Sequence, residues 1–112
     1  VSAANGLSIN GYKAVMEMQF ADFVSTGFNP IVNLLAKQHY RWQEKSDVVV
    51  RMPCGGGTQA GPFHSQTNEA WFTKTPGLKV VQYYSSNTSN CIEVCIKMCQ
   101  KIITRYLSEK HL

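Results

Sequence analysis

Residues 48–52 read Val-Val-Val-Arg-Met and stop at Pro53. Three β-branched residues in a row suit a pleated strand, because branching at Cβ restricts χ1 against a helical turn. The run has no apolar–polar alternation, so it predicts a strand covered on both faces, as in parallel sheets sandwiched between helices. Two more runs match it: Lys-Ala-Val-Met-Glu-Met-Gln-Phe over residues 13–20, and a third strand over residues 78–84. Between the first two, Phe28, Ile31, Val32, Leu35 and Ala36 recur at three- and four-residue spacing. That is a helix stripe for packing on a sheet, begun at Asp22 or Ser25, with Pro30 tolerated in the first turn. Residues 39–45 are polar and aromatic and are expected to leave this helix. A short helix is expected over residues 67–73 and a turn at Pro76-Gly77. Residues 1–10 read as the end of a helix stopped by Gly11. Strand, helix, strand, helix, strand predicts an α/β fold: three layers, with a mostly parallel sheet and right-handed crossovers.

After residue 84 the composition turns polar. Asn90 can cap a helix, with Glu93 three residues on. Ile92, Cys95, Ile96, Cys99, Ile102, Ile103, Tyr106 and Leu107 then form an amphipathic helical pattern. On such a helix Cys91, Cys95 and Cys99 lie on one stripe and do not face each other, which favours reduced thiols over disulfides. Zinc needs convergent ligands such as paired C-x-x-C, and this spacing is different.

A chain of 112 residues is enough for one small core. Its 44% hydrophobic and 16% charged content is globular rather than disordered. The net charge of +4 is mild, and the tail's Lys97, Lys101, Arg105 and Lys110 with Tyr106 are too sparse for a nucleic-acid face. No apolar run reaches the roughly 18–20 residues of a membrane span. No basic-then-apolar leader opens the sequence, and its first residue is Val1 rather than Met, so a fragment or trimmed product is expected.

Two segments carry candidate chemistry. Glu17-Met-Gln-Phe-Ala-Asp-Phe23 falls where the first strand hands over to a helix, and Phe63-His64-Ser65-Gln66 follows a glycine-rich loop. Polar groups at the carboxyl ends of strands are where open α/β sheets bind ligands. Histidine can give or take a proton near neutral pH, which makes His64 the leading catalytic candidate; a lone histidine is otherwise more often structural. Gln19 and Phe23 fit a semi-buried amide and aromatic as readily as a binding wall. Gly55-Gly-Gly-Thr-Gln-Ala60 formally fits a dinucleotide fingerprint, but Pro62 and His64 interrupt where the helix should begin, and no acidic residue ends the next strand. A P-loop is excluded, since no Gly-Lys-Ser/Thr occurs.

With these segments stand Phe28-Asn-Pro-Ile-Val-Asn-Leu-Leu-Ala-Lys, Val50-Arg-Met-Pro-Cys-Gly-Gly-Gly, Glu69-Ala-Trp-Phe and Pro76-Gly-Leu-Lys-Val-Val81, all in order. Together they resemble the β-subunit or β-half of the E1 component of thiamine-diphosphate-dependent 2-oxo acid dehydrogenases, branched-chain or pyruvate, over about residues 1–81. The resemblance implies a partial transketolase-like pyrimidine-binding domain and a parent enzyme that oxidatively decarboxylates a 2-oxo acid and passes the acyl group to lipoyl. It implies thiamine diphosphate held by its pyrimidine end, with Gln19 and Phe23 lining the pocket and His64 aiding proton transfer. Mg2+ and the diphosphate are expected on the α-half. Implied partners are the E1 α-subunit or α-half and the lipoyl domain of the E2 component, in a homo- or hetero-oligomer, with no nucleic acid and no membrane. The implied location is cytoplasmic, or the mitochondrial matrix in a eukaryote. Glu17 and Asp22 are expected in structural or subunit-contact roles, and His39 and His111 on the surface.

The chain departs from the family twice. The glutamate that activates the cofactor lies upstream of Val1. Residues 82–112 match no family pattern and are expected to be an out-of-frame or altered tail whose helix takes the place of a native helix, leaving the last strand missing. The fragment alone is therefore expected to be inactive. The alternative is a non-catalytic truncated relative that serves as a protein-assembly module.

Overall fold

The computed structural model describes residues 1–83 and 101–106. Helix α1 (Ser2–Ile9) buries Ala4, Asn5 and Ser8, which share one face by their three- and four-residue spacing. Strand β1 (Ala14–Glu17) follows. The chain then forms a 3-10 helix, Ala21–Gly27, and a π-helical turn, Pro30–Leu35. In that turn Ala36 N–H donates to the Ile31 carbonyl, five residues back, at 3.1 Å. The predicted single α-helix is thus two tighter and looser pieces that still present Ile31 and Leu35 to the core.

Of residues 39–45, expected to leave the helix, the first four lie in helix α2 (Gln38–Trp42). Periodicity missed it because its anchor is polar. Gln38 is 1% exposed, accepts a 2.6 Å hydrogen bond from Asn5 Nδ2 and donates to the Lys45 carbonyl at 3.2 Å. Strand β2 (Val48–Cys54) comes next, then a 3-10 turn at Gly56–Thr58, helix α3 (Ala70–Thr73), and strands β3 (Val80–Tyr83) and β4 (Lys101–Tyr106).

The four strands form one sheet in the order β1-β2-β4-β3, and every pairing is parallel. β2 is buried along its whole length except at half-buried Arg51, so both faces are covered, as its sequence predicts. It also runs past Pro53, the expected stop. The Arg51 carbonyl faces β1 and accepts from Met18 N–H at 2.9 Å. Two residues on, Pro53 faces the same side, but β1 has already ended at Glu17, so the missing N–H has no ladder partner to lose.

β4 overturns part of the reading of the tail. The predicted amphipathic helix included residues 101–106, which instead fill the slot between β2 and β3, with Val50 opposite Ile102 and Val80 opposite the same residue. The final strand is present. The run Ile102-Ile103-Thr104 is β-branched, and such residues fit a central parallel strand at least as well as a helix. The rest of that predicted helix, with Cys91, Cys95 and Cys99, lies outside the described residues.

The core gathers Val24 and Ile31 from the β1–β2 crossover, Val48, Val50, Met52 and Cys54 from β2, and Phe72 from α3. Gly77, at φ +90°, passes so close to Ala36 that any Cβ would collide with the Ala36 carbonyl. Only glycine allows the turn before β3 to reach the crossover there.

Candidate functional site at the carboxyl edge of the sheet

The last residue of β1, Glu17, stands beside Arg51 of β2, which runs three residues further: Arg51 Nε lies 2.6 Å from Glu17 Oε2. The contact is an ion pair without hydrogen-bond alignment. Gly55 turns the chain sharply after β2 at φ +96°, a conformation other residues rarely adopt.

Beyond β1, the 3-10 helix repeats every three residues. Ala21, Val24 and Gly27 are therefore buried together, while Phe23 stands outward at 44% exposure. Phe20 precedes the helix. The loop after Gly61 brings His64 against this turn. The imidazole lies edge-on to both rings, with centroids 5.3 Å from Phe20 and 5.5 Å from Phe23 and interplanar angles of 86° and 78°. Edge-to-face pairs of this kind contribute about 0.5–1.5 kcal/mol each.

The loop is tied to the turn by hydrogen bonds. Gln66 N–H donates to Asp22 Oδ1 at 3.3 Å, and Asn68 Nδ2 donates to the Ala21 carbonyl at 3.1 Å in a buried contact. Gln66 Nε2 also donates back to the Pro62 carbonyl at 3.3 Å.

Below the loop sits Cys54, a free, buried thiol at the end of β2. Its pKa rises from 9.0 to about 11, first because burial disfavours the thiolate, then because the carboxylates of Glu69 and Asp22 repel it. One oxygen of each carboxylate, Glu69 Oε2 and Asp22 Oδ2, is buried without a hydrogen-bond partner among the described residues, while Glu69 Oε1 accepts from Gln82 Nε2 at 3.1 Å. A neutral thiol is a weak nucleophile, so Cys54 is built for packing rather than attack. Among the described residues no group of three or more His, Cys, Asp or Glu side chains is arranged to hold a metal ion.

Of the sequence candidates, His64 and Phe23 come into ring contact. Gln19 is exposed in the bend just before Phe20, and its side chain makes no hydrogen bond among the described residues. Asp22 supports the loop; His39 is exposed, and His111 lies outside the described residues. Phe20 and Asn68 were not singled out from sequence. The three-residue offset of Phe20 from Phe23 is a signal for Phe20 once the turn is known to be 3-10; Asn68 offers none before the fold is known.

An open parallel sheet with a polar and aromatic cluster beyond its strand ends is the arrangement in which α/β domains bind ligands. The family model of the transketolase pyrimidine-binding domain matches residues 1–103, and the chain belongs to that family.

The chain is 44% identical over 82 residues to the mitochondrial 2-oxoisovalerate dehydrogenase subunit beta of Chaetomium thermophilum, a match covering 70% of this chain and 18% of that protein. To 2-oxoisovalerate dehydrogenase subunit beta of Bacillus subtilis it is 42% identical over 78 residues, covering 68% and 24%. To pyruvate dehydrogenase E1 component subunit beta of Leifsonia xyli it is 41% identical over 83 residues, covering 72% and 25%. The resemblance to E1 β-subunits stated from sequence is thus shown, and the chain spans about a quarter or less of these relatives' length. A solved split-gene transketolase, described as an inactive β4 tetramer, superposes with a TM-score of 0.72 at 20% identity over 96% of this chain and 33% of that one. That likeness is one of fold.

Proposed function

We propose that this chain is the pyrimidine-binding part of a thiamine-diphosphate-dependent 2-oxo acid dehydrogenase E1 component, acting on a branched-chain 2-oxo acid or pyruvate. The observation that carries the proposal is the contact of His64 with Phe20 and Phe23 at the carboxyl edge of the sheet, where this fold type binds ligands.

The residues fit the cofactor's pyrimidine end. Phe23 offers an exposed ring for a flat heterocycle, and the Gln19 amide, also exposed, can reach a ring edge. Gly56 is open to a ligand, since a Cβ there would meet nothing within 4 Å. The bound cofactor supplies carbanion stabilisation, and the protein supplies orientation and electrostatics. His64 is then the group that holds or moves a proton, since its imidazole is half-buried and rests on rings rather than on a charged partner.

Mg2+ and the diphosphate belong to the α-half in this proposal, and the partners are that half and the lipoyl domain of E2. The location is the bacterial cytoplasm or the mitochondrial matrix. No helix of the described residues is long and apolar enough to cross a membrane.

The test is calorimetric titration of this chain with a purified E1 α-subunit, with and without thiamine diphosphate and Mg2+. Association strengthened by the cofactor, and weakened again in F23A, supports the proposal. Association of equal strength with and without cofactor sinks it and favours a protein-assembly module. The chain alone is expected to support no NADH production with E2 and the downstream dehydrogenase.

A further inference from the structure

The His64 imidazole has no hydrogen-bond partner of its own among the described residues; its contacts are the two phenylalanine rings. Something else must fix where it stands. Apolar burial does not, because Gly61, Pro62, Phe63, Gln66 and Thr67 around it are all exposed.

We propose that Asn68 and Asp22 are positioning residues that clamp the His64 loop onto the aromatic turn and so set the orientation of the imidazole. The inference rests on the reading of His64 given above. Both anchors fall on the turn between Phe20 and Phe23. Asn68 Nδ2 reaches the Ala21 carbonyl at 3.1 Å, and Asp22 Oδ1 receives Gln66 N–H at 3.3 Å. The loop's own anchors lie two and four residues after His64. The chain therefore closes a short circuit: His64 to Gln66, across to Asp22, one residue to Phe23, and back to the imidazole through the ring contact.

Asn68 is the stronger of the two fasteners. It is 5% exposed, and its hydrogen bond is buried, so water cannot replace the lost donor. The Gln66 side chain braces the loop from within, donating to the Pro62 carbonyl at 3.3 Å and spanning His64. A histidine resting on rings alone can pivot. Pinning the loop to the same turn keeps the His64 backbone beside those rings, so the backbone cannot carry the imidazole away from them without breaking a hydrogen bond.

The test is NMR of the full chain, following the His64 ring protons and their nuclear Overhauser contacts to Phe20 and Phe23. In N68A these contacts are lost and the ring shifts move to those of an unpacked histidine, while the methyls of Val48 and Val50 keep their positions. D22A weakens the same contacts. D22N, which keeps an oxygen acceptor, restores them. In the assembly of this chain with an α-subunit, thiamine diphosphate binding is read in wild type and N68A alike.

The proposal is overturned if N68A and D22A both leave His64 unmoved, or if both unfold the core along with it. Should the His64 contacts vanish in both variants while the wild-type assembly fails to bind thiamine diphosphate, the clamp stands and the functional reading falls. If thiamine diphosphate binds and both variants leave His64 in place, the clamp falls and the functional reading stands.

Discussion

The two ends of the parallel sheet treat their buried polar groups in opposite ways. At the amino edge, Asn5, Ser8, Gln38 and Ser46 are all buried, and each is hydrogen-bonded to another of them or to nearby backbone. Asn5 donates to Gln38 at 2.6 Å, Ser46 donates to Asn5 at 2.8 Å, and Ser8 Oγ accepts from Asp47 N–H at 2.5 Å. This network locks α1, α2 and the entry to β2 together. At the carboxyl edge, Asp22 and Glu69 each leave a buried oxygen without a partner among the described residues, Phe23 is exposed, and His64 rests on rings. Buried polar groups are ordinarily satisfied. An edge that closes its polar groups stabilises the fold; the edge that leaves them open is the one where the proposal above puts the cofactor.

Breaking the closed edge is expected to produce the largest effect. Gln38→Leu strands the buried Asn5 amide and the Lys45 carbonyl, and a loss of roughly 2–4 kcal/mol in urea unfolding is expected. A loss below about 1 kcal/mol would show that the network is not what holds this end.

The next effect lies in Cys54. Its folded pKa, about 11, stands above the ordinary 9.0, so the unfolded chain releases the thiol proton first as pH rises. The stabilisation from burying the neutral thiol is complete below pH 9.0 and disappears as pH climbs to about 11, a change on the order of 2 kcal/mol. Cys54→Ala should remove that part of the alkaline slope, as read from unfolding curves at successive pH values. An unchanged slope would mean that the thiol titrates no differently in the folded state.

On the open edge, stability and binding should separate. Phe23→Ala and His64→Ala are each expected to cost no more than about 1 kcal/mol of stability, since each removes an edge contact rather than a core side chain. Phe23→Ala should weaken cofactor-dependent association with the α-subunit by about tenfold, equivalent to about 1.4 kcal/mol. A large stability loss with unchanged association would reverse the contrast between the edges.

The smallest effect belongs to the Glu17–Arg51 pair, whose side chains are 37% and 28% exposed. Arg51→Met should cost about 0.5 kcal/mol, less at high salt, because exposed ion pairs gain little and are screened. Equal unfolding midpoints for wild type and variant in high salt would show that the pair acts by charge alone.

Much of the architecture was legible before the fold was known. The three-valine run identified a two-faced strand because β-branching and unbroken hydrophobicity are local properties. The stripe from Phe28 to Ala36 gave the crossover for the same reason. The tail from Lys101 to Tyr106 misled because Ile102, Ile103 and Tyr106 satisfy a helical spacing as well as a strand; the vacancy between β2 and β3 decided the matter. Helix α2 was missed because a polar Gln38 holds it. The candidate site divides in the same way. Of the ring cluster, His64 and Phe23 could be picked out by residue type and motif, but Phe20 and the supporting Asn68 could not, since their contacts depend on partners more than forty residues away.

The sequence by itself determined that this chain builds a parallel α/β sheet of the transketolase pyrimidine-binding type, with an aromatic and a histidine motif near its strand ends. Hydrophobic period, β-branching and motif order are written in neighbouring residues. Tertiary structure alone decided which strand fills the middle of the sheet, that a glutamine could anchor a helix, and that the His64 loop lands on the turn between Phe20 and Phe23. Those outcomes depend on hydrogen bonds and ring contacts between distant segments, whose geometry exists only once the sheet has brought them together.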